Sequence, residues 1–220
     1  MIPDGASLMI GGFMAVGTPE RIIDEIVRQN KRELTVIAND TAAPGKGIGK
    51  LVQAKLVRKV IASHIGLNPE TQRQMMAGSM EVELVPQGTF AERIRAGGAG
   101  IAGFFTPTGY GTLVSEGKET RVIDGKPYVL ESPLKADFAF VKAWRGDRSG
   151  NLIYRKTARN FNPVMATAAA VTIAEVEDLV EPGELDPDHV VTPGIFVRHI
   201  LQGTHYEKRI EKRTLRKSEV

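Results

Sequence analysis

Gly11, Gly12, Phe13, Met14, Ala15, Val16 and Gly17 form an unbroken stretch with the clearest chemical signal in the chain. Glycine is used where backbone takes φ > 0 or comes very near another group, and here glycines flank an aromatic, Phe13. The stretch joins a short apolar run, 7–10, to a run that starts Thr18-Pro19-Glu20 and carries Ile22, Ile23, Ile26 and Val27 at helical spacing. A glycine turn feeding a helix start offers main-chain N–H donors and the positive end of a helix dipole, which suit an anion, a phosphate or a developing oxyanion. Further Gly-rich turns occupy 45–49, 97–103 and 109–111, with Gln87-Gly88-Thr89 after another apolar run. Singly, each reads as a tight turn. Together they describe a cleft, for which Asn39, Ser63, His64, Gln87, Gly88, Gly97 and Gly98 are the candidate lining residues.

Other chemistries fail on spacing. Gly98-x-Gly100-x-x-Gly103 matches a dinucleotide fingerprint, but it follows a helix-like run where the fingerprint must leave a strand. Gly45 to Lys50 resembles a phosphate loop one residue short, with Leu51 where Ser or Thr should hold Mg²⁺. His64, His189, His199 and His205 form no metal-ligand spacing with one another or with carboxylates, so no metal is expected. Ser63 and His64 are neighbours on a strand-like run and point to opposite faces. No G-x-S-x-G elbow occurs, and no nucleophile can be assigned. His64 reads either as a structural histidine or as a cleft residue at a strand end.

The elements that must position these residues alternate. Strand-like runs are expected at 7–10, 34–38, 59–65 and 81–86, with helices at 19–30, 69–77 and 90–96. Thr18 is the expected cap of the first helix, with Pro19 at its first position, and Asn68 the cap of the second. Residues 97–117 read as loop, and 122–130 as two strands about Asp124-Gly125, a hairpin signal. A long apolar run at 136–143 reads as a central strand, followed by a helix at 162–170, a strand at 171–176 and an extended piece at 190–197. The fold class is α/β: an open, largely parallel sheet with helices on both faces and a small antiparallel hairpin excursion. One domain over 1–205 and a basic tail over 206–220 are expected.

The chain has 220 residues, 42% of them hydrophobic and 25% charged, as a globular domain requires. Absence of cysteine excludes disulfides, thiolate zinc sites and a Cys nucleophile, and fits a reducing, cytoplasmic setting. No run spans a bilayer, and the N-terminus lacks a basic stretch before its apolar residues, so neither a membrane span nor a signal peptide is expected. The net charge of +3 resides in 206–220, where Lys208, Arg209, Lys212, Arg213, Arg216 and Lys217 face Glu207, Glu211 and Glu219. The body balances at zero and offers no nucleic-acid surface.

Taken whole, Asp4-Gly5, the apolar Leu8-Met9-Ile10, Gly11-Gly12-Phe13 and Gly17-Thr18-Pro19 resemble the N-terminal signature of the alpha subunits of family I coenzyme A transferases. The resemblance continues in Asn39-Asp40-Thr41, Ser63-His64-Ile65-Gly66, Pro86-Gln87-Gly88-Thr89, Thr106-Pro107-Thr108-Gly109, Ala158-Arg159-Asn160-Phe161-Asn162-Pro163 and Thr192-Pro193-Gly194, over nearly the whole chain. It departs in beginning almost on the motif, where members carry a short helix first. The resemblance implies transfer of CoA from an acyl-CoA to a carboxylate through a glutamyl-CoA thioester, with the glutamate on a beta subunit in a Ser-Glu-Asn-Gly motif. This chain contains no Glu-Asn-Gly. The implied protein is a heterodimer or heterotetramer, with CoA or acyl-CoA as substrate, no permanently bound cofactor, and residues 11–17 as the CoA-binding segment. Each donor aimed at an oxyanion there is worth about 3 kcal/mol of barrier. Among substrates, acetate/butyrate–acetoacetate transfer fits the blocks best, with succinyl-CoA:3-oxoacid and 3-oxoadipate transfer as neighbours.

Overall fold

The computed structural model describes residues 2–204 and 206. Its main sheet holds β1 (Ser7–Ile10), β2 (Leu34–Ile37), β3 (Val57–Ala62), β4 (Glu81–Leu84), β8 (Ala136–Asp147), β10 (Ala169–Val180) and β11 (His199–Gln202). The strand order is β11-β10-β8-β1-β2-β3-β4, all parallel, and β9 (Leu152–Ile153) pairs antiparallel with the far end of β8. A second sheet, β5 (Phe104–Thr106), β7 (Lys126–Glu131) and β6 (Thr120–Ile123), is antiparallel. β6 and β7 meet at Asp124 and Gly125, both at positive φ, the two-residue turn that Asp-Gly favours.

Buried strands read as unbroken apolar runs because both faces are covered. On β1, Leu8 and Ile10 face a core with Ile22, Ile23 and Ile26 of α1 (Glu20–Arg28) and Leu51 and Val52 of α2 (Gly49–Gln53). Met9 faces the opposite core, with Phe90 and Ile94 of α4 (Gln87–Ala99) and Met165 of α5 (Asn162–Ala166). α3 (Pro69–Met76) joins the first layer: Gln74 donates to Val52 O at 2.9 Å. The strands step outward from β1 to β4. The chain then returns as β8 on the other side of β1. That reversal puts the topological switch point between β1 and β8, at the carboxyl ends of the strands, where open α/β sheets bind ligands.

Several elements differ from expectation. α1 starts at Glu20, and Thr18 makes no cap bond. The buried carboxylate of Glu175 on β10 instead accepts from the N–H groups of Arg21 and Ile22, both at 3.0 Å. β3 stops at Ala62, so His64 lies beyond it, in a lone parallel bridge with Asp40. α4 runs on to Ala99 and takes in Gly97 and Gly98, and the expected loop after it contains β5. α5 is shorter than 162–170, because Ala169 already belongs to β10. The segment 190–197 is not a strand: Thr192 bridges Leu152, a single 3-10 turn follows at Gly194–Phe196, and the last strand is β11. Asn68 does cap α3, accepting from Glu70 and Thr71 N–H. The basic tail, apart from Tyr206, lies outside the described residues.

Candidate functional site

The turn over 11–17 leaves β1 at the switch point. Gly11 N–H donates to Phe140 O at 2.9 Å, carrying the β1–β8 ladder one residue further. Phe13 and Val16 then exchange main-chain hydrogen bonds at 3.0 and 2.9 Å around Met14 and Ala15, whose φ values are 51° and 66°. Both central residues of this turn are left-handed, a conformation that usually selects Asn and Gly. Each non-glycine residue held there costs about 1–2 kcal/mol.

Side chains from distant segments hold the turn. Asp40, just beyond β2, accepts from Met14 N–H at 2.9 Å. Asn160 accepts from Gly12 N–H at 3.1 Å and donates to Val16 O at 2.9 Å. Asn162, fully buried at the start of α5, donates to Gly17 O and Ala158 O, both at 2.9 Å, and accepts from Lys142 N–H at 2.8 Å. The glycines follow from this crowding. A Cβ on Gly11 would lie 1.8 Å from Asn162 Oδ1, one on Gly12 2.1 Å from Thr18 Oγ1, and one on Gly17 2.4 Å from Ala158 O. Thr18 is therefore packed beneath Gly12 and is not free to cap α1.

The N–H groups of Gly11, Gly12, Phe13, Met14 and Val16 are thus spent on acceptors within the chain. Those of Ala15 and Gly17 have no acceptor among the described residues. The expected row of free donors contracts to these two. Phe13, 43% exposed, stands at the edge of the turn.

A second cluster adjoins the first through Asp40. Asn39 donates to Asp40 Oδ2 at 2.9 Å, which turns its own Oδ1 toward Gln87 Nε2 at 2.8 Å and Ser63 Oγ at 2.9 Å. Asn39, Ser63 and Gln87 come from the ends of β2, β3 and β4, and meet because parallel strands deliver their carboxyl ends to one edge. Gly88 follows Gln87 at the start of α4, with open space where a Cβ would stand. His64 is exposed, its ring over Gly66.

Gly97 and Gly98 do not join them. They lie in the last turns of α4, where a Cβ would fall 1.9 Å from Leu134 O and 2.1 Å from Thr167 Oγ1 respectively. Their purpose is close packing of a helix against the main chain. The phosphate-loop-like segment is likewise structural: Lys50 pairs with Glu20 at 2.7 Å and with Asp24, and Gly47 N–H donates to Glu20 at 3.0 Å. Among the described residues, no group of three or more His, Asp or Glu is arranged to hold a metal, and no helix is long and apolar enough to cross a membrane.

Asp40, Asn160 and Asn162 had no role in the sequence reading. Short polar side chains in the loops after a strand and before a proline were the available signal.

A family model described as coenzyme A transferase matches residues 1–203. The chain is 54% identical over 218 residues to the A-type subunit of the probable succinyl-CoA:3-ketoacid coenzyme A transferase of Bacillus subtilis strain 168, covering 99% of this chain and 92% of that one. It is 57% identical over 198 residues to the alpha subunit of the acetate CoA-transferase of Escherichia coli K12, covering 90% of each. Among solved structures, an acyl-CoA transferase of E. coli O157:H7, in a thioester complex with CoA, superposes with a TM-score of 0.81 at 23% identity. That alignment covers 92% of this chain and 45% of the other, so this chain spans less than half of that protein's length, and the likeness is one of fold.

Proposed function

The chain belongs to the coenzyme A transferase family, and we propose that it is the alpha subunit of a heteromeric enzyme that moves CoA between an acyl-CoA and a free carboxylate. The names of its relatives, succinyl-CoA:3-ketoacid and acetate CoA-transferase subunits, support succinyl-CoA or acetyl-CoA as donor and a 3-oxoacid as acceptor, and we propose acetoacetate as that 3-oxoacid. The nucleophile is a glutamate of the beta subunit, which takes the CoA as a glutamyl thioester before the acceptor carboxylate receives it. CoA enters as substrate, and no permanently held cofactor takes part. The setting is cytoplasmic.

The observation that carries this reading is the held turn over 11–17 at the switch point. Each acyl transfer at a thioester carbonyl passes through a tetrahedral oxyanion, which fixed N–H donors stabilise. Ala15 and Gly17 retain such donors, on a main chain pinned by Asp40, Asn160 and Asn162. Phe13 gives apolar surface for the pantetheine arm beside them. The cluster of Asn39, Ser63 and Gln87 lines the acyl side of the same cleft.

The test is turnover of acetoacetate with acetyl-CoA and with succinyl-CoA, using this chain alone and co-expressed with its beta subunit. Activity confined to the complex, and lost on changing the beta-subunit glutamate, is the expected result. Turnover by this chain alone would overturn the half-enzyme reading, and an inactive, well-assembled complex would overturn the substrate assignment.

A further inference from the structure

Asp40 is 5% exposed and makes no ion pair among the described residues. Its carboxylate receives only donors: Met14 N–H and Asn39 Nδ2 on one oxygen, both at 2.9 Å, and Ala42 N–H on the other at 2.8 Å. A buried carboxylate without a counter-ion persists where hydrogen bonds to its charged form replace water. The residues it holds are unusual. Met14, Ala15 and Ala42 all lie in the left-handed region, at φ 51°, 66° and 52°, and none is glycine. Asp40 bonds directly to the N–H of Met14 and of Ala42, and through Met14 it fixes the turn that contains Ala15. Strained backbone of this kind survives only where its surroundings over-determine it, and it gathers at functional sites.

We propose that Asp40 is a positioning residue for acyl-CoA: it locks residues 13–16 into their left-handed turn, so that the N–H groups of Ala15 and Gly17 and the ring of Phe13 are presented together. This rests on the reading of 11–17 as the CoA-binding segment. The mutual bonds of Phe13 and Val16 close the turn but leave the Met14 N–H pointing outward. Without Asp40 that N–H has no acceptor among the described residues, and the two left-handed residues are free to relax. Asparagine at position 40 would keep one oxygen, able to hold Met14 N–H and Asn39 Nδ2 while its NH₂ turned to Ala42 N–H, so the variant that removes the lock is Asp40→Ala, which leaves all three donors without an acceptor.

The test uses the assembled complex with Asp40→Ala, with Ala15→Gly, and with both. Hydrogen exchange of residues 12–17 without substrate should quicken about tenfold in Asp40→Ala, with the rest of the sheet unchanged. kcat/KM for the acyl-CoA should fall about 30-fold. Ala15→Gly, which lowers the left-handed cost, should restore about fivefold of that loss in the double variant. Unchanged exchange over 12–17 overturns the positioning role and leaves the CoA-binding reading standing. Faster exchange with undiminished kcat/KM overturns both. Loss of turnover without rescue by Ala15→Gly means that Asp40 acts by some other route, and overturns the proposal. If Asp40→Ala fails to assemble, Ala15→Val reads the same coupling with Asp40 in place, since a β-branched residue resists φ > 0. It should quicken exchange over 12–17 and lower kcat/KM, and normal values for both overturn the proposal.

Discussion

At the end of β1, Gly11, Gly12 and Gly17 make room for the side chains of Asn162 and Thr18 and for the main chain at Ala158; at the end of α4, Gly97 and Gly98 make room for Leu134 O and the Thr167 side chain. Both segments are glycine-rich, and a Cβ is impossible in either. The consequences differ. Around the first, carboxylate and amide groups from segments far along the chain bond to main-chain atoms and fix a strained turn at the switch point. Around the second, the main chain is satisfied by its own helix, and the glycines only let that helix approach its neighbours. A glycine cluster therefore marks a site when it leaves a strand at the reversal of strand order, and marks packing when it lies inside a helix.

The strongest way to break this contrast is a methyl group on each side. In Gly17→Ala the new Cβ would meet Ala158 O at 2.4 Å, at a φ of 70° that alanine resists. The main chain carrying the Gly17 N–H must move, and kcat/KM of the complex should fall about 100-fold. Gel filtration checks that the complex still assembles. Gly97→Ala meets Leu134 O at 1.9 Å. It should cost about 3 kcal/mol of stability, read as a lower denaturation midpoint of this chain, while kcat/KM per folded complex stays within a factor of about two. Equal loss of turnover in the two variants would remove the distinction.

The elements were legible where their causes are local. Two-sided burial makes Leu34, Val36 and Ile37 of β2 apolar, with Leu34 and Val36 in one core and Ile37 in the other, and Asn68 caps the N–H groups of its own helix. Thr18 was misread as a cap because Gly12, packed against it, and Glu175, which takes over the capping, lie outside its local pattern. Gly97 and Gly98 read as loop on propensity, and tertiary packing against Leu134 and Thr167 overrode it. β11 lies beyond Pro193 on a half-exposed sheet edge and leaves little apolar signal. In the site, the turn was legible from its glycines. Asp40, Asn160 and Asn162 had no assigned role, because their partners are main-chain atoms that no spacing rule connects to them.

Glu175 sharpens the contrast one step downstream. It fastens the start of α1, the helix that the turn feeds, from across the sheet, and its Oε1 has no hydrogen-bond partner among the described residues. Burial raises its carboxyl above the usual carboxylate range, against the opposing pull of the Ile22 N–H, the Tyr206 hydroxyl, Lys142 and the Arg21 N–H. An acid raised on folding contributes stability that is complete below its unfolded pKa and is lost as pH rises through its folded pKa. Thermal midpoints of this chain should therefore decline with pH above the ordinary glutamate range, and Glu175→Gln should flatten that decline. Glu175→Ala, which strips both N–H groups of their acceptor, should cost about 2 kcal/mol. An unchanged pH profile in Glu175→Gln would place the titration elsewhere.

The smallest effect should come from Gly100, which closes α4 in the left-handed region at φ 72° with nothing within 4 Å of a Cβ. Its own N–H and that of Ile101 both donate to Ala96 O, so the helix end is satisfied by main chain alone. Alanine there meets no steric wall, and the cost reduces to the backbone conformation, about 1 kcal/mol. Asparagine, which tolerates that region better, should recover part of it. Neither variant should alter kcat/KM for the acyl-CoA or the carboxylate. A kinetic change in Gly100→Ala would mean that the end of α4 reaches the cleft after all. The same left-handed geometry at Ala15 and at Gly100 would then serve the reaction in both places, and position relative to the strand ends would no longer tell them apart.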